Sequence, residues 1–156
     1  ALAMRIAASG GVAIWTDRGP TVVRWYRSAY FSISAIGLGD VLPLDNTACG
    51  LVFQAFLPPE RIEVARKLQP APFRGKPPAA RELARIRESF GHELSGHLLS
   101  GITGQAAPVF DAQHEVACVV TTTSGSELPE ADRALIFAAA REASSEAGGS
   151  GAYGRP

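Results

Sequence analysis

Two hairpin signals constrain this chain more than any other feature. Residues 12–16 and 21–27 are rich in β-branched and aromatic side chains and flank the turn formers Asp17-Arg18-Gly19-Pro20. Residues 102–110 and 115–123 flank Asp111-Ala112-Gln113-His114 in the same way. Such short turns join only antiparallel neighbours, because parallel strands need a crossover of about a dozen residues or more. A doubly wound parallel sheet is therefore excluded, and the chain must build an antiparallel sheet with its helices packed against it.

Between and beyond the hairpins the pattern turns helical. Asn46 or Thr47 can cap a helix that runs to about Leu57, where Pro58-Pro59 ends it, and a second helix covers 60–68. Residues 69–78 hold four prolines and read as a surface loop. In 79–90 the apolar positions Leu83, Ile86 and Phe90 form one stripe and leave Arg81, Glu82, Arg85 and Glu88 solvated. A last amphipathic helix spans 129–146, with Leu135, Ile136 and Ala139 as core contacts. Residues 2–9 read as a helical fragment stopped by Gly10-Gly11, with no cap and no initiating methionine context, so the gene product is expected to extend further N-terminally. Residues 1–147 are expected to form one domain and the glycine-rich 148–156 a flexible tail.

Strand alternation supplies the candidate site. Residues 30–36 place Phe31, Ile33 and Ala35 on one face and Tyr30, Ser32 and Ser34 on the other, and Thr121 and Thr123 likewise share a face. Four hydroxyls can then converge on one side of the sheet, although threonine is also favoured in strands for packing alone. The helix start at 46–50 adds free backbone N–H groups and the positive end of a helix dipole, with the small Ala48 allowing close approach by a carboxylate. Any helix start offers this much.

Charge and motifs exclude several functions. Fifteen basic and fifteen acidic residues leave no net positive field to attract a phosphate backbone, so DNA contact by this stretch alone is not expected. No apolar run is long enough to span a bilayer and no signal peptide opens the chain, so a cytoplasmic protein without membrane contact is expected. His92 and His97 are five apart, a spacing that suits neither a helical nor a strand-borne metal pair, and no phosphate-binding glycine loop or nucleophile elbow is present. No metal and no cofactor is expected. Cys49 and Cys118 read as free thiols. A small cysteine enzyme is conceivable only through Cys49, whose place at a helix start could favour the thiolate, yet no base is placed beside it.

The stretch Gly39-Asp-Val-Leu-Pro-Leu-Asp-Asn-Thr-Ala-Cys-Gly-Leu-Val-Phe-Gln-Ala-Phe-Leu-Pro58 resembles the region around the pocket helix of IclR-family transcriptional regulators. Leu83-Ala-Arg-Ile-Arg87, Gly101 and Ala106-Ala-Pro-Val-Phe-Asp111 resemble later blocks of the same effector domain in order and spacing, and 116–126 fits its last strand. The resemblance runs roughly from residue 3 to 147 and rests on the order of the blocks.

It implies an α+β fold, a GAF-like or profilin-like mixed, mainly antiparallel sheet flanked by helices. It also implies that a winged helix-turn-helix, absent from this chain, binds operator DNA, and that the protein is a homodimer or homotetramer whose arrangement responds to a small organic or aromatic acid. Carried over, the backbone donors fall at Ala48 and Cys49, the strand hydroxyls, usually serines, at Thr121 and Thr123, and wall positions at Ser34 and Leu42. Departures fall at Leu94 or Ser95, where a polar pocket loop often carries an acidic residue, at Gly104, where cysteine is common, and at Asp45, where many members have histidine. Ser95 and Gly104 join the expected effector-binding set. A stand-alone GAF-like sensory module is the alternative reading.

Overall fold

The computed structural model describes residues 8–28, 36–95 and 101–154. A five-stranded sheet forms its centre, built from β1 (Ser9–Thr16), β2 (Gly19–Tyr26), β3 (His92–Ser95), β4 (Thr103–Phe110) and β5 (Val116–Ser124). The spatial order is β2-β1-β5-β4-β3, and every neighbouring pair is antiparallel. The two hairpins read from the turn clusters are β1–β2 and β4–β5, and the fold is α+β as expected.

Two layers of helix cover the sheet. On one face α1 (Ala48–Phe56) packs against β4 and β5, with α3 (Ala80–Ser89) outside it, and α2 (Pro59–Leu68) lies between them in sequence. On the other face α4 (Glu130–Glu146) lies along β4. Alternation along the strands divides the core accordingly. Ala13, Val22, Ala106 and Val119 join Leu51, Val52 and Phe53 on the α1 side, while Ala107 and Val109 join Leu128, Ile136 and Ala140 on the α4 side. All of α1 from Ala48 to Ala55 is buried, as befits a helix apolar all round.

The loop leading into α1 is held by polar groups that are almost wholly buried. Gln69, 3% exposed, donates from Nε2 to the carbonyls of Arg18 and Leu42 at 2.9 Å each and accepts from the Leu44 N–H at 3.0 Å. The buried Asp45 carboxylate pairs with Arg66 of α2, and Gln54 bridges the two, donating to Asp45 Oδ1 at 3.2 Å and accepting from Arg66 Nη2 at 3.1 Å. Gly50 completes the seat, since a Cβ there would lie 2.2 Å from the Leu44 carbonyl oxygen. α1 can approach its own leading loop only as a glycine-bearing helix.

The structure differs from the sequence expectation at both ends of the described chain. Ser9, Gly10 and Gly11 belong to β1 and do not stop a helix; Ser9 pairs with Thr123 and its Oγ accepts from the Ser28 N–H at 2.9 Å. Glycine suits position 11 because a Cβ would collide with the Arg24 carbonyl of the neighbouring strand. The helix expected over 2–7 lies outside the described residues. At the other end, Ser150–Gly154 form a 3-10 helix, where a flexible tail was expected. Its cause is Tyr153, which donates to the Pro108 carbonyl at 2.9 Å and sits among Phe90, Phe110 and the Arg141 guanidinium at 4.8, 5.5 and 5.0 Å.

Candidate functional site

Thr47 begins the site. Its extended backbone and side chain cap α1, the hydroxyl accepting from the Gly50 N–H at 2.9 Å and donating to the Pro43 carbonyl at 2.7 Å. The first intrahelical acceptor, the Thr47 carbonyl, is taken by the Leu51 N–H. The amides of Ala48 and Cys49 therefore stand ahead of the ladder without an intrahelical acceptor, at the positive end of the helix dipole.

This helix end faces the α1 side of the sheet across a small cavity of about 30 Å3, room for about two water molecules. Gly104, Thr121 and Thr123 form its sheet wall, Ala48, Thr47 and Asn46 its helix wall, and Ile36, Leu42, Leu94 and Ile102 its apolar sides, with Trp25 closing the β2 end. None of the described lining side chains is charged. The space exists because position 104 lacks a side chain: a Cβ there would rest 3.6 Å from Ala48 Cβ and 3.9 Å from the Ala48 nitrogen.

The two threonines are not equivalent. Thr121 Oγ1 donates to the Gln105 carbonyl at 3.2 Å, whereas Thr123 Oγ1 is buried with no partner. Thr122, between them, points to the opposite face and donates to Gln105 Oε1 at 2.7 Å. Trp25 Nε1 is the other donor of the lining that is buried with no partner.

Five of the residues expected from sequence, Leu42, Ala48, Gly104, Thr121 and Thr123, thus border one cavity. Cys49 contributes its backbone amide to the same helix end, but its side chain is not on the cavity wall. Ser34 and the other hydroxyls expected on 30–35 lie outside the described residues; Ile36, the last position of that expected strand, is buried and lines the cavity. Ser95 is not brought to this cavity. It is exposed at the end of β3, 3.2 Å from Thr103 Oγ1, on the face opposite the cavity; its neighbour Leu94, paired with Gly104, supplies the wall. Trp25 and Ile102 were not foreseen, and Asn46 only as part of the helix start at 46–50. For Trp25 the signal was available, since a tryptophan in the first hairpin brings an N–H that must find a partner when buried.

Burial pushes the Cys49 thiol strongly up, against a smaller opposing effect of the neighbouring Thr121 hydroxyl, so the helix end does not activate it. Cys118 is likewise raised by burial. Thiolate chemistry has no support here. Among the described residues no group of three His, Cys, Asp or Glu side chains is arranged to hold a metal, and no helix is long and apolar enough to cross a membrane. A larger open groove of about 520 Å3 lies beyond Asn46 and Leu94, which border both spaces. Its rim carries exposed Lys76, Arg81 and Arg85, and the buried carboxylate in its lining, Asp45, is already engaged by Arg66 and Gln54.

No family model matches the sequence, and no curated protein matches it. Solved structures do match. HmgR of Pseudomonas aeruginosa is similar at 31% identity and a TM-score of 0.76, over 91% of this chain and 60% of its own. The IclR of Thermotoga maritima is similar at 19% identity and a TM-score of 0.75, over 92% of this chain and 63% of its own. The transcriptional regulator YaiJ is 19% identical with a TM-score of 0.76, and here the match covers 94% of this chain and 89% of the other. The chain thus spans about three fifths of the length of HmgR and of the Thermotoga protein.

Proposed function

From the premise that this chain matches the C-terminal, effector-binding domain of IclR-family transcriptional regulators, we propose that its cavity binds a small organic or aromatic acid and that occupancy governs a DNA-binding segment elsewhere in the protein. The observation that carries this reading is the juxtaposition of free α1 amides and the unpartnered Thr123 hydroxyl around one uncharged, buried space. Neutral donors and a helix N-terminus suit an oxygen acid: they offer hydrogen bonds to its carboxylate without the desolvation of a buried cation. The apolar sides formed by Ile36, Leu42, Leu94 and Ile102 suit an uncharged hydrocarbon body.

At about 30 Å3 the cavity admits such a ligand only by opening. That requirement is what a sensor needs, because a ligand shifts a conformational equilibrium only by its differential affinity for the two states. The output would be a change in a homodimer or homotetramer that alters operator binding through a winged helix-turn-helix. With equal numbers of acidic and basic residues, the chain by itself should not bind operator DNA at physiological salt.

The test is a thermal-shift screen of this chain against small carboxylic and aromatic acids, repeated on a Gly104→Val variant. A binding acid raises the Tm of the parent, and the side chain introduced against Ala48 abolishes that rise. Failure of every acid to stabilise the parent, or an undiminished rise in the variant, overturns the reading.

A further inference from the structure

We propose that Trp25 is a ligand anchor: its indole N–H donates to an oxygen of the bound acid and makes binding depend on an acceptor at the β2 end of the cavity. The inference rests on the reading that this cavity is the effector site, and adds to it a residue and a specificity.

Trp25 Nε1 and Thr123 Oγ1 are both buried, both without a hydrogen-bond partner, and both belong to residues that line the same space. A buried polar group left unpaired destabilises the fold, so two such groups converging on one cavity are not explained by the stability of the fold. The indole N–H can only donate, unlike a hydroxyl, so its partner must bring an oxygen or nitrogen acceptor. No described lining side chain is charged, and the helix end adds further donors. The excess of donors fits a carboxylate and opposes an ammonium.

The sheet register explains how Trp25 reaches the site from the far strand. Trp25 and Thr121 are both paired with Gly11, which stands between them on β1. Trp25 and Thr121 are two strand spacings apart, on the order of 10 Å, and the residue between them has no side chain. The indole can therefore lie over the middle strand toward the threonine wall. Trp15, the other tryptophan, is committed elsewhere, with its ring 5.4 Å from Phe53 in the core.

The probes are sodium acetate, butyrate, benzoate and phenylacetate, titrated into the parent chain, Trp25→Phe and Thr123→Val by calorimetry. The tightest of the four is then added to 15N-labelled parent, with Trp15→Phe used to assign the two indole N–H signals. We expect both variants to weaken the probe about tenfold, the scale of one hydrogen bond to a charged acceptor, and the Trp25 indole signal to move downfield on binding. Loss of affinity in Thr123→Val but not in Trp25→Phe leaves the effector site standing and overturns the Trp25 assignment. Loss in Trp25→Phe with an unmoved indole signal in the parent also overturns it, because the residue then acts by packing. Binding of no probe to the parent overturns the site reading and this inference with it.

Discussion

At the scale of single residues, the structure separates groups that the sequence presents as equals. Alternation on β5 makes Thr121 and Thr123 a matched pair, but only the register with β4 reveals that the Thr121 hydroxyl is already spent on the Gln105 carbonyl. Thr121→Val should therefore act on folding, lowering stability by roughly 1 kcal/mol in urea unfolding, whereas Thr123→Val should leave stability unchanged or slightly raised and weaken the acid. Equal destabilisation by both would contradict the division. Thr47 as the α1 cap was legible, because capping chemistry is local. Gln69 was not: its side chain ties together the Arg18 turn, Leu42 and Leu44, groups far from it in sequence, and no local pattern encodes such a contact. The activation once conceivable for Cys49 failed for a similar reason, since depth of burial is a property of the whole core.

Among the elements, the hairpins and helices follow from turn chemistry and periodicity, and the short edge strand β3 does not. Four residues carry too little alternation to separate a strand from a loop, and β3 is held by partners across the sheet. Glu93 is its rivet. Its carboxylate accepts from Gln105 Nε2 at 3.0 Å, from the Leu128 N–H at 3.1 Å and from Arg133 Nη1 at 2.8 Å, joining β3 to β4, to the loop after β5 and to α4. Burial alone would raise this carboxyl, but the three donors outweigh it and hold it below its ordinary value of 4.5. The folded state thus binds the proton less readily than the unfolded chain, so the contribution of Glu93 is complete above pH 4.5 and is lost as pH falls through its lowered folded value. Glu93→Gln should lower stability at pH 7 and flatten the acid limb of a Tm-against-pH curve. An acid limb as steep in the variant as in the parent would assign the dependence to other carboxylates.

Across the whole molecule, both faces of the sheet are tied to the C-terminal segment. Composition marks 148–156 as glycine-rich and says nothing of where one tyrosine will land; Tyr153 lands in an aromatic cluster with Phe90 and Phe110, which themselves meet Phe56 of α1 at 6.0 and 5.2 Å. The segment therefore closes the end of the sheet remote from the cavity. Tyr153→Ala should cost roughly 2 kcal/mol of stability, measured by chemical denaturation, and leave acid binding within about twofold of the parent. A large loss of affinity would mean that the two ends are coupled.

The pairing of Ser9 with Thr123 sets how short the path from the cavity to β1 is. One ladder rung, about 4.8 Å, separates Thr123, which borders the cavity, from the first residue of β1. If opening of the cavity pushes β5 outward, β1 must travel with it or break a rung. Such a lever needs no relay through the core: the strand that lines the cavity and β1 are adjacent.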